Sequence, residues 1–333
     1  MMKAQHLHQP APVDSQPLRL SEVERPVPTA DELLVKINTC GVCHTDLHVI
    51  EGELPHPKLP LIPGHQIVGI VEEAGKEIAR FRAGSRVGIP WLHETDGVCE
   101  FCRRGQENLC EKALFTGYTA DGGYAEYTTV REDFAVPIPE QFSDVEAAPL
   151  LCAGIVGYRS LRLADLQPGE RLGLYGFGAS AHLCIQVARY WDCEVYVFTR
   201  GAEHQRHSLD LGAAWAGTAH AQPPNLLDRA VIFAPAGWIV PLALGHLRKA
   251  GTLCINAIHM SDIPQMPYHL LWNERTIRSV ANATRQDAEE FLPLAAKIPI
   301  RAETQVFDLD AANEALQRTK KGSINGAAVL KVR

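Results

Sequence analysis

No stretch of this chain is apolar for long enough to cross a bilayer. The richest run, residues 147–158, falls short of the ~20 residues that a spanning helix needs, and Gly154 and Gly157 interrupt it. Cationic charge is not in excess either. Lys plus Arg is 32 against 39 for Asp plus Glu, a net charge of −7, so there is no electrostatic ground to expect nucleic acid or an anionic membrane as partner. Residues 1–10 carry one Lys with several His and Gln and no apolar core, so no secretory signal is expected and a cytoplasmic enzyme is the default. Internal repeats and low-complexity tracts are missing too, which excludes solenoids and disordered tails.

What is present suits an ordinary globular protein of two domains. The 333 residues exceed one typical domain and can bury a core without covalent staples. From 33 to about 136, short apolar runs are cut by Gly and Pro. Residues 33–37, 67–72, 86–89 and 124–130 read as strands, and helical periodicity is weak there. The pattern changes near Asp144. Strands are expected at 171–175, 194–198, 229–233, 252–258 and 276–281. Helices are expected at 179–190, 203–211, 240–247 and 287–297. Such alternation implies a parallel, doubly wound sheet. A last strand at 328–332 is expected to return to the first domain.

Of the nine cysteines, the clustered ones lie in the first two-thirds of the chain, and in so long a chain without a signal peptide they read as metal ligands, nucleophiles or small core residues more than as disulfides. Cys40-Gly41-Val42-Cys43-His44-Thr45-Asp46-Leu47-His48 offers thiolates and imidazoles that suit zinc, although a CxxC alone also fits a redox pair or half of a structural zinc site. Gly64-His65 is weak by itself. Cys99, Cys102 and Cys110 in one loop are hard to explain as packing, whereas a lobe closing on tetrahedral zinc explains them. Asp96 is the first choice for the fourth ligand, with His93 and Glu94 as competitors. Cys152, in isolation, reads as a small hydrophobe at a helix start. Gly176-Phe177-Gly178-Ala179-Ser180-Ala181 follows a strand and opens a helix, the context in which a GxGxxA turn holds a dinucleotide pyrophosphate.

In this order the segments resemble the zinc-containing alcohol dehydrogenases of the medium-chain dehydrogenase/reductase superfamily. The anchors are residues 41–46, 64–65, 99–110 and 149–154 and the tail Ile324-Asn325-Gly326. The resemblance implies an α/β chain: a β-rich GroES-like catalytic domain over 1–152 and 283–333, and a Rossmann cofactor domain over 153–282. It implies a catalytic zinc on Cys43, His65 and Cys152, with substrate oxygen polarised at the fourth position, and a structural zinc on Asp96, Cys99, Cys102 and Cys110. Cys40 is then a spare thiol. Thr45 would accept the alcohol proton and His48 would pass it on through the cofactor ribose to solvent. Asp46 would orient the ligand histidine. His44, Gly176, Gly178 and Ala181 would face the pyrophosphate, and Trp91 and Leu54 the substrate.

Four positions depart from that pattern. Where NAD-binding members carry an acid at the end of the second Rossmann strand, this chain has Thr199-Arg200, which favours NADP over NAD unless Arg200 points to solvent. Asp96 stands where a fourth Cys is usual, Gln66 where a Glu is usual, and Ala327 where many relatives have Arg. The implied reaction is hydride transfer between a primary alcohol or aldehyde and NAD(P), in a homodimer or homotetramer. The alternatives are a polyol or sugar dehydrogenase on the same scaffold, which a bulky Trp91 disfavours, and a zinc-binding, redox-responsive protein with little turnover. In the latter case Cys40, Cys43, Cys99 and Cys102 would form one site. A zinc-free quinone reductase relative would lack these cysteines.

Overall fold

The computed structural model describes residues 1–324 and 326–333; Asn325 of the tail named above lies outside the described residues. The chain divides into two compact units. The first comprises Met1–Cys152, Asn282–Ala296 and Arg301–Arg333; the second comprises Ala153–Ala281 and Lys297–Ile300. Among the described residues no helix is long and apolar enough to cross a membrane.

The first unit is built on a seven-stranded sheet whose hub is the strand Glu32–Val42. This strand is mostly buried, with only Glu32, Lys36 and Asn38 half-buried. It pairs antiparallel with Ala327–Lys331, with Gln66–Ala74 and with Tyr127–Arg131. Gln66–Ala74 pairs in turn with Arg86–Ile89, and that strand with Val136–Pro137. Thr304–Asp308 closes the far edge, parallel to Ala327–Lys331. Two pairings were not visible in the apolar pattern. Met2–Leu7 and Leu18–Val23 form a hairpin, and Leu92–Glu94 pairs with Leu114–Phe115. The weak periodicity over 33–136 also concealed a helix, His44–Ile50, which follows the hub strand directly.

The second unit carries a wholly parallel six-stranded sheet. Its order is Trp215–Gly217, Glu194–Phe198, Arg171–Tyr175, Leu227–Ile232, Leu247–Ile255, Thr276–Ser279. In chain order that is 3-2-1-4-5-6, the doubly wound arrangement in which the strand direction of travel reverses beside the first strand. The expected strands at 171–175 and 194–198 and the helix at 179–190 fall on the observed Arg171–Tyr175, Glu194–Phe198 and Ala179–Tyr190. From the two strands, Tyr175, Tyr196 and Phe198 fill one core with Leu227, Ala230, Ile232, Val240 and Leu244, all buried. The fold class read from the sequence is the fold observed.

Candidate functional site

Strand register brings the first two donors together. Gly41 is opposite Gln66 in the antiparallel ladder, so the chain leaves one strand at Val42-Cys43 where it enters the other from His65. Gly64 makes that entry possible. Its φ is +96°, and a Cβ there would lie 2.3 Å from the Tyr124 ring. Cys43 then caps the helix His44–Ile50. Its Sγ accepts the Thr45 N–H at 3.4 Å, and its own N–H donates to Asp46 Oδ2 at 2.8 Å. The other Asp46 oxygen accepts Nδ1–H of His65 at 3.0 Å. One carboxylate therefore fixes both the cap residue and the imidazole, and leaves His65 Nε2 turned toward Cys43 Sγ at 3.4 Å.

Cys152 arrives on a separate helical run. That run starts with a capping box between Ser143 and Glu146. Asp144 ties it to the hub sheet: Arg86 Nε donates to Oδ1 at 2.7 Å, Asn38 Nδ2 to Oδ2 at 2.8 Å, and Thr39 Oγ1 to the Asp144 carbonyl at 3.0 Å. Pro149 has no N–H to continue the ladder. Directly after it, Leu150–Gly154 widens into a π-helical turn that carries Cys152. Cys152 is thus not the packed hydrophobe of a helix start. Its Sγ, Cys43 Sγ and a ring nitrogen of His65 all lie within 4.8 Å of one another.

Among these donors, Cys152 disfavours the charged form of Cys43, whereas Cys43 and His65 favour each other's charged form. Contact with Cys152 and then burial push the Cys43 thiol well above its ordinary range. Burial alone would lower His65, but the neighbouring Asp46 and Cys43 outweigh it and carry the imidazole up to about 10. Two cysteines and a histidine gathered this closely form a donor set suited to a divalent ion. The distances agree: a sulfur and a nitrogen bound to one tetrahedral zinc lie about 3.6 Å apart. Cys40 is outside this group; it is buried in the hub strand with Sγ near the Gly41 carbonyl. Trp91 meets His65 edge-on at 4.8 Å and stacks on Phe115 and Tyr118. Gln66 is buried against Gly41, with no hydrogen-bond partner for Nε2 among the described residues.

A second group gathers Asp96, Cys99, Cys102 and Cys110, again within 4.8 Å. Asp96 Oδ1 accepts the N–H groups of Val98 and Cys99 at 3.0 and 2.9 Å, which hold its carboxyl well below the usual range. Burial, with contacts to Cys99, Asp96 and Cys110, pushes Cys102 up to about 11 against the opposing Thr95 contact. The competing ligands are engaged elsewhere: His93 Nδ1 meets Thr116 Oγ1, and Glu94 pairs with Arg131. Glu107, beside the lobe, accepts the Arg285 N–H at 3.0 Å and so anchors it independently of any metal. The reading of Cys40, Cys43, Cys99 and Cys102 as one site is corrected here, because Cys43 and Cys99 belong to different clusters with different partners.

The remaining expected residues fall as follows. Thr45 and His48 sit one turn apart on the capped helix, half-buried, with His44 exposed at its first position. In the second unit, Gly176 (φ +90°) ends the strand Arg171–Tyr175, Gly178 caps the helix Ala179–Tyr190, and Ala181 is buried in its first turn. Thr199 follows Glu194–Phe198, its carbonyl accepting from Gln205, and Arg200 is exposed beside it. The sequence reading missed Glu53, whose carboxylate pairs with Nδ1 of His48. A Gly just past a helix end, followed by an acid, was the available signal.

Comparison with known proteins finds relatives along the whole chain. The alcohol dehydrogenase GroES-like domain profile matches residues 29–140. The "Probable alcohol dehydrogenase AdhA" of Mycobacterium tuberculosis is 49% identical over 99% of this chain and 97% of its own. The crystal structure of the alcohol dehydrogenase from Aeropyrum pernix superposes with a TM-score of 0.86 at 30% identity, covering 99% of this chain and 100% of that one. A cinnamyl alcohol dehydrogenase from Sorghum bicolor gives 0.90 at 26%, covering 99% and 97%. By fold and by relatedness along its whole length, the chain belongs to the zinc-containing alcohol dehydrogenases of the medium-chain dehydrogenase/reductase superfamily.

Proposed function

We propose that this alcohol dehydrogenase is zinc-dependent and moves hydride between a primary alcohol or its aldehyde and a nicotinamide dinucleotide, NADP in preference to NAD. The observation that carries the reading is the convergence of Cys43, His65 and Cys152, with Asp46 behind them. Two thiolates and one imidazole are the donor set of a catalytic zinc with one position left open. When bound, zinc supplies Lewis-acid polarisation of a substrate oxygen, and the nicotinamide supplies or takes the hydride.

The chain's own residues do the rest. Asp46 accepts from Nδ1–H of His65, so the lone pair is on Nε2, where a metal ligand needs it. The Thr45 N–H donates to Cys43 Sγ, which zinc would take as the thiolate. Thr45 would accept the alcohol proton, and His48, three residues on along the same helix face, would hold it next. Trp91 would wall the site beside His65, which favours slim alcohols over polyols. Asp96, Cys99, Cys102 and Cys110 would hold a second zinc that closes their lobe.

Gly176, Gly178 and Ala181 would cradle the pyrophosphate, and His44 would face it. Arg200, with no acid at the end of Glu194–Phe198, would meet a 2′-phosphate. All nine cysteines are free thiols, which supports a reducing, cytoplasmic setting. The edge strand Thr276–Ser279, with Tyr268 and Trp272 exposed nearby, supports a homodimer or a homotetramer built from such pairs. The deciding experiment is turnover of the zinc-loaded protein with NADH and NADPH crossed against primary aldehydes, and with NADP against ethanol and a polyol. Primary aldehydes with NADPH should be the best pair; no turnover with any would overturn the proposal.

A further inference from the structure

Tyr124 is sealed from solvent, yet its hydroxyl makes no hydrogen bond of ordinary geometry among the described residues. Its place is fixed by the segment that leads into His65. The Tyr124 N–H donates to the Pro63 carbonyl at 2.9 Å, and the neighbouring Gly123 N–H to the Gly64 carbonyl at 2.9 Å. The ring lies so close over Gly64 that a Cβ there would meet its Cδ1 at 2.3 Å. The hydroxyl at its tip comes within reach of the Asp46 carboxylate, with Cys40 and Cys43 nearby. Burial, and after it the negative charge of Asp46, push this hydroxyl well above its usual range, so it keeps its proton and faces the carboxylate as a donor.

We propose that Tyr124 is a positioning residue whose hydroxyl is the third donor to Asp46, steadying the carboxylate that holds His65 and Cys43 in place for their metal. The metal part rests on the zinc reading above. Two deficits meet here. A buried hydroxyl without an acceptor is destabilising, and a phenylalanine of the same shape would avoid that cost. A carboxylate has about four lone-pair sites. Asp46 uses one oxygen for the His65 Nδ1–H at 3.0 Å and the other for the Cys43 N–H at 2.8 Å, which leaves room for another donor. A small turn of the carboxylate or of the phenol gives each group what it lacks. Cys40 is the poorer acceptor: it offers only a sulfur, and its thiol is already directed at the Gly41 carbonyl at 3.6 Å.

The test is Tyr124→Phe in the full-length protein, which removes one oxygen and nothing else. The sign of its effect decides. If the hydroxyl is unpaired, losing it relieves a cost: the melting temperature of the metal-free protein stays level or rises, and the proposal is overturned. If it donates to Asp46, that melting temperature falls. Chelator competition should then show zinc affinity at the Cys43 site about three- to tenfold below wild type, a smaller loss than for Asp46→Asn because Tyr124 acts one bond further from the metal. The metal of the cysteine lobe should be unaffected, and the visible bands of cobalt in the Cys43 site should shift. A lower melting temperature with unaltered zinc affinity and cobalt bands would make Tyr124 a packing residue and also overturns the proposal. In an Asp46→Asn background Tyr124→Phe should add little, whereas fully additive losses would overturn a shared bond. A wild type that takes up no zinc at the Cys43 site would sink the zinc reading instead, while the metal-free melting temperatures would still decide whether the hydroxyl serves Asp46.

Discussion

His65 and Asp46 are joined ring nitrogen to carboxylate at 3.0 Å, and both side chains are sealed from solvent. Because the second Asp46 oxygen accepts the Cys43 N–H, this one residue has two donors to satisfy. An amide offers one acceptor and one donor. In Asp46→Asn an NH₂ must therefore face either the Cys43 N–H or the His65 N–H. We expect zinc affinity at this site to fall about 10- to 100-fold, read by chelator competition, and stability to fall by about 1–3 kcal/mol. Unaltered affinity would show that Asp46 does not set the ligand geometry.

The two cysteine clusters should part cleanly under mutation. The wild type is expected to hold two zinc ions per chain. Cys43→Ser should remove one and abolish turnover with little change in melting temperature. Cys99→Ser should remove the other and lower the melting temperature while turnover persists in the cold, since Glu107 and Arg285 still anchor the lobe. Loss of both metals in either variant, by elemental analysis, would refute independent sites.

Ser143 and Glu146 start the helical run that ends at Cys152, and their contribution should depend on acid. The Ser143 hydroxyl and N–H hold the Glu146 carboxyl below its ordinary 4.5, against a smaller effect of burial. A depressed folded value means that this stabilisation is present above the unfolded value and is lost as pH falls through the folded one. Ser143→Ala should cost about 1 kcal/mol near neutrality. The gap between wild type and Glu146→Gln in urea titrations should narrow as pH drops below 4.5. A gap independent of pH would contradict the charged cap.

Arg200 is the residue on which cofactor choice is expected to turn. Arg200→Ala should raise KM for NADPH at least about tenfold and leave KM for NADH nearly unchanged, since one charge-assisted contact to phosphate is worth about 1.5–3 kcal/mol. Equal effects on both cofactors, in steady-state assays with one aldehyde, would show that Arg200 does not read the 2′-phosphate.

The parts legible in the sequence were those where one local rule suffices. The strand Arg171–Tyr175, the glycine turn after it and the helix Ala179–Tyr190 follow from apolar runs and glycine spacing alone. The triple-cysteine lobe announced itself by composition. Cys43 and His65 were individually ambiguous, because what unites them is register between two strands, which no local window contains. Cys152 was harder still. Its placement depends on Pro149 and on the hold that Arg86, Asn38 and Thr39 keep on Asp144. The helix His44–Ile50 escaped notice because it is short, and because its polar first turn serves as a cap and not as an amphipathic face.

The pairing of Gly41 with Gln66 also bears on how the polymer acquires its metal. In a nascent or denatured chain, the thiols nearest one another are Cys40 with Cys43 and Cys99 with Cys102, and a stray ion can grasp either couple before any tertiary contact exists. Forming the hairpin withdraws Cys40 into the interior and offers His65 in its stead. Loading order then becomes consequential: ions supplied after refolding meet the finished nest, whereas ions supplied beforehand can lock in the wrong chelate and delay maturation.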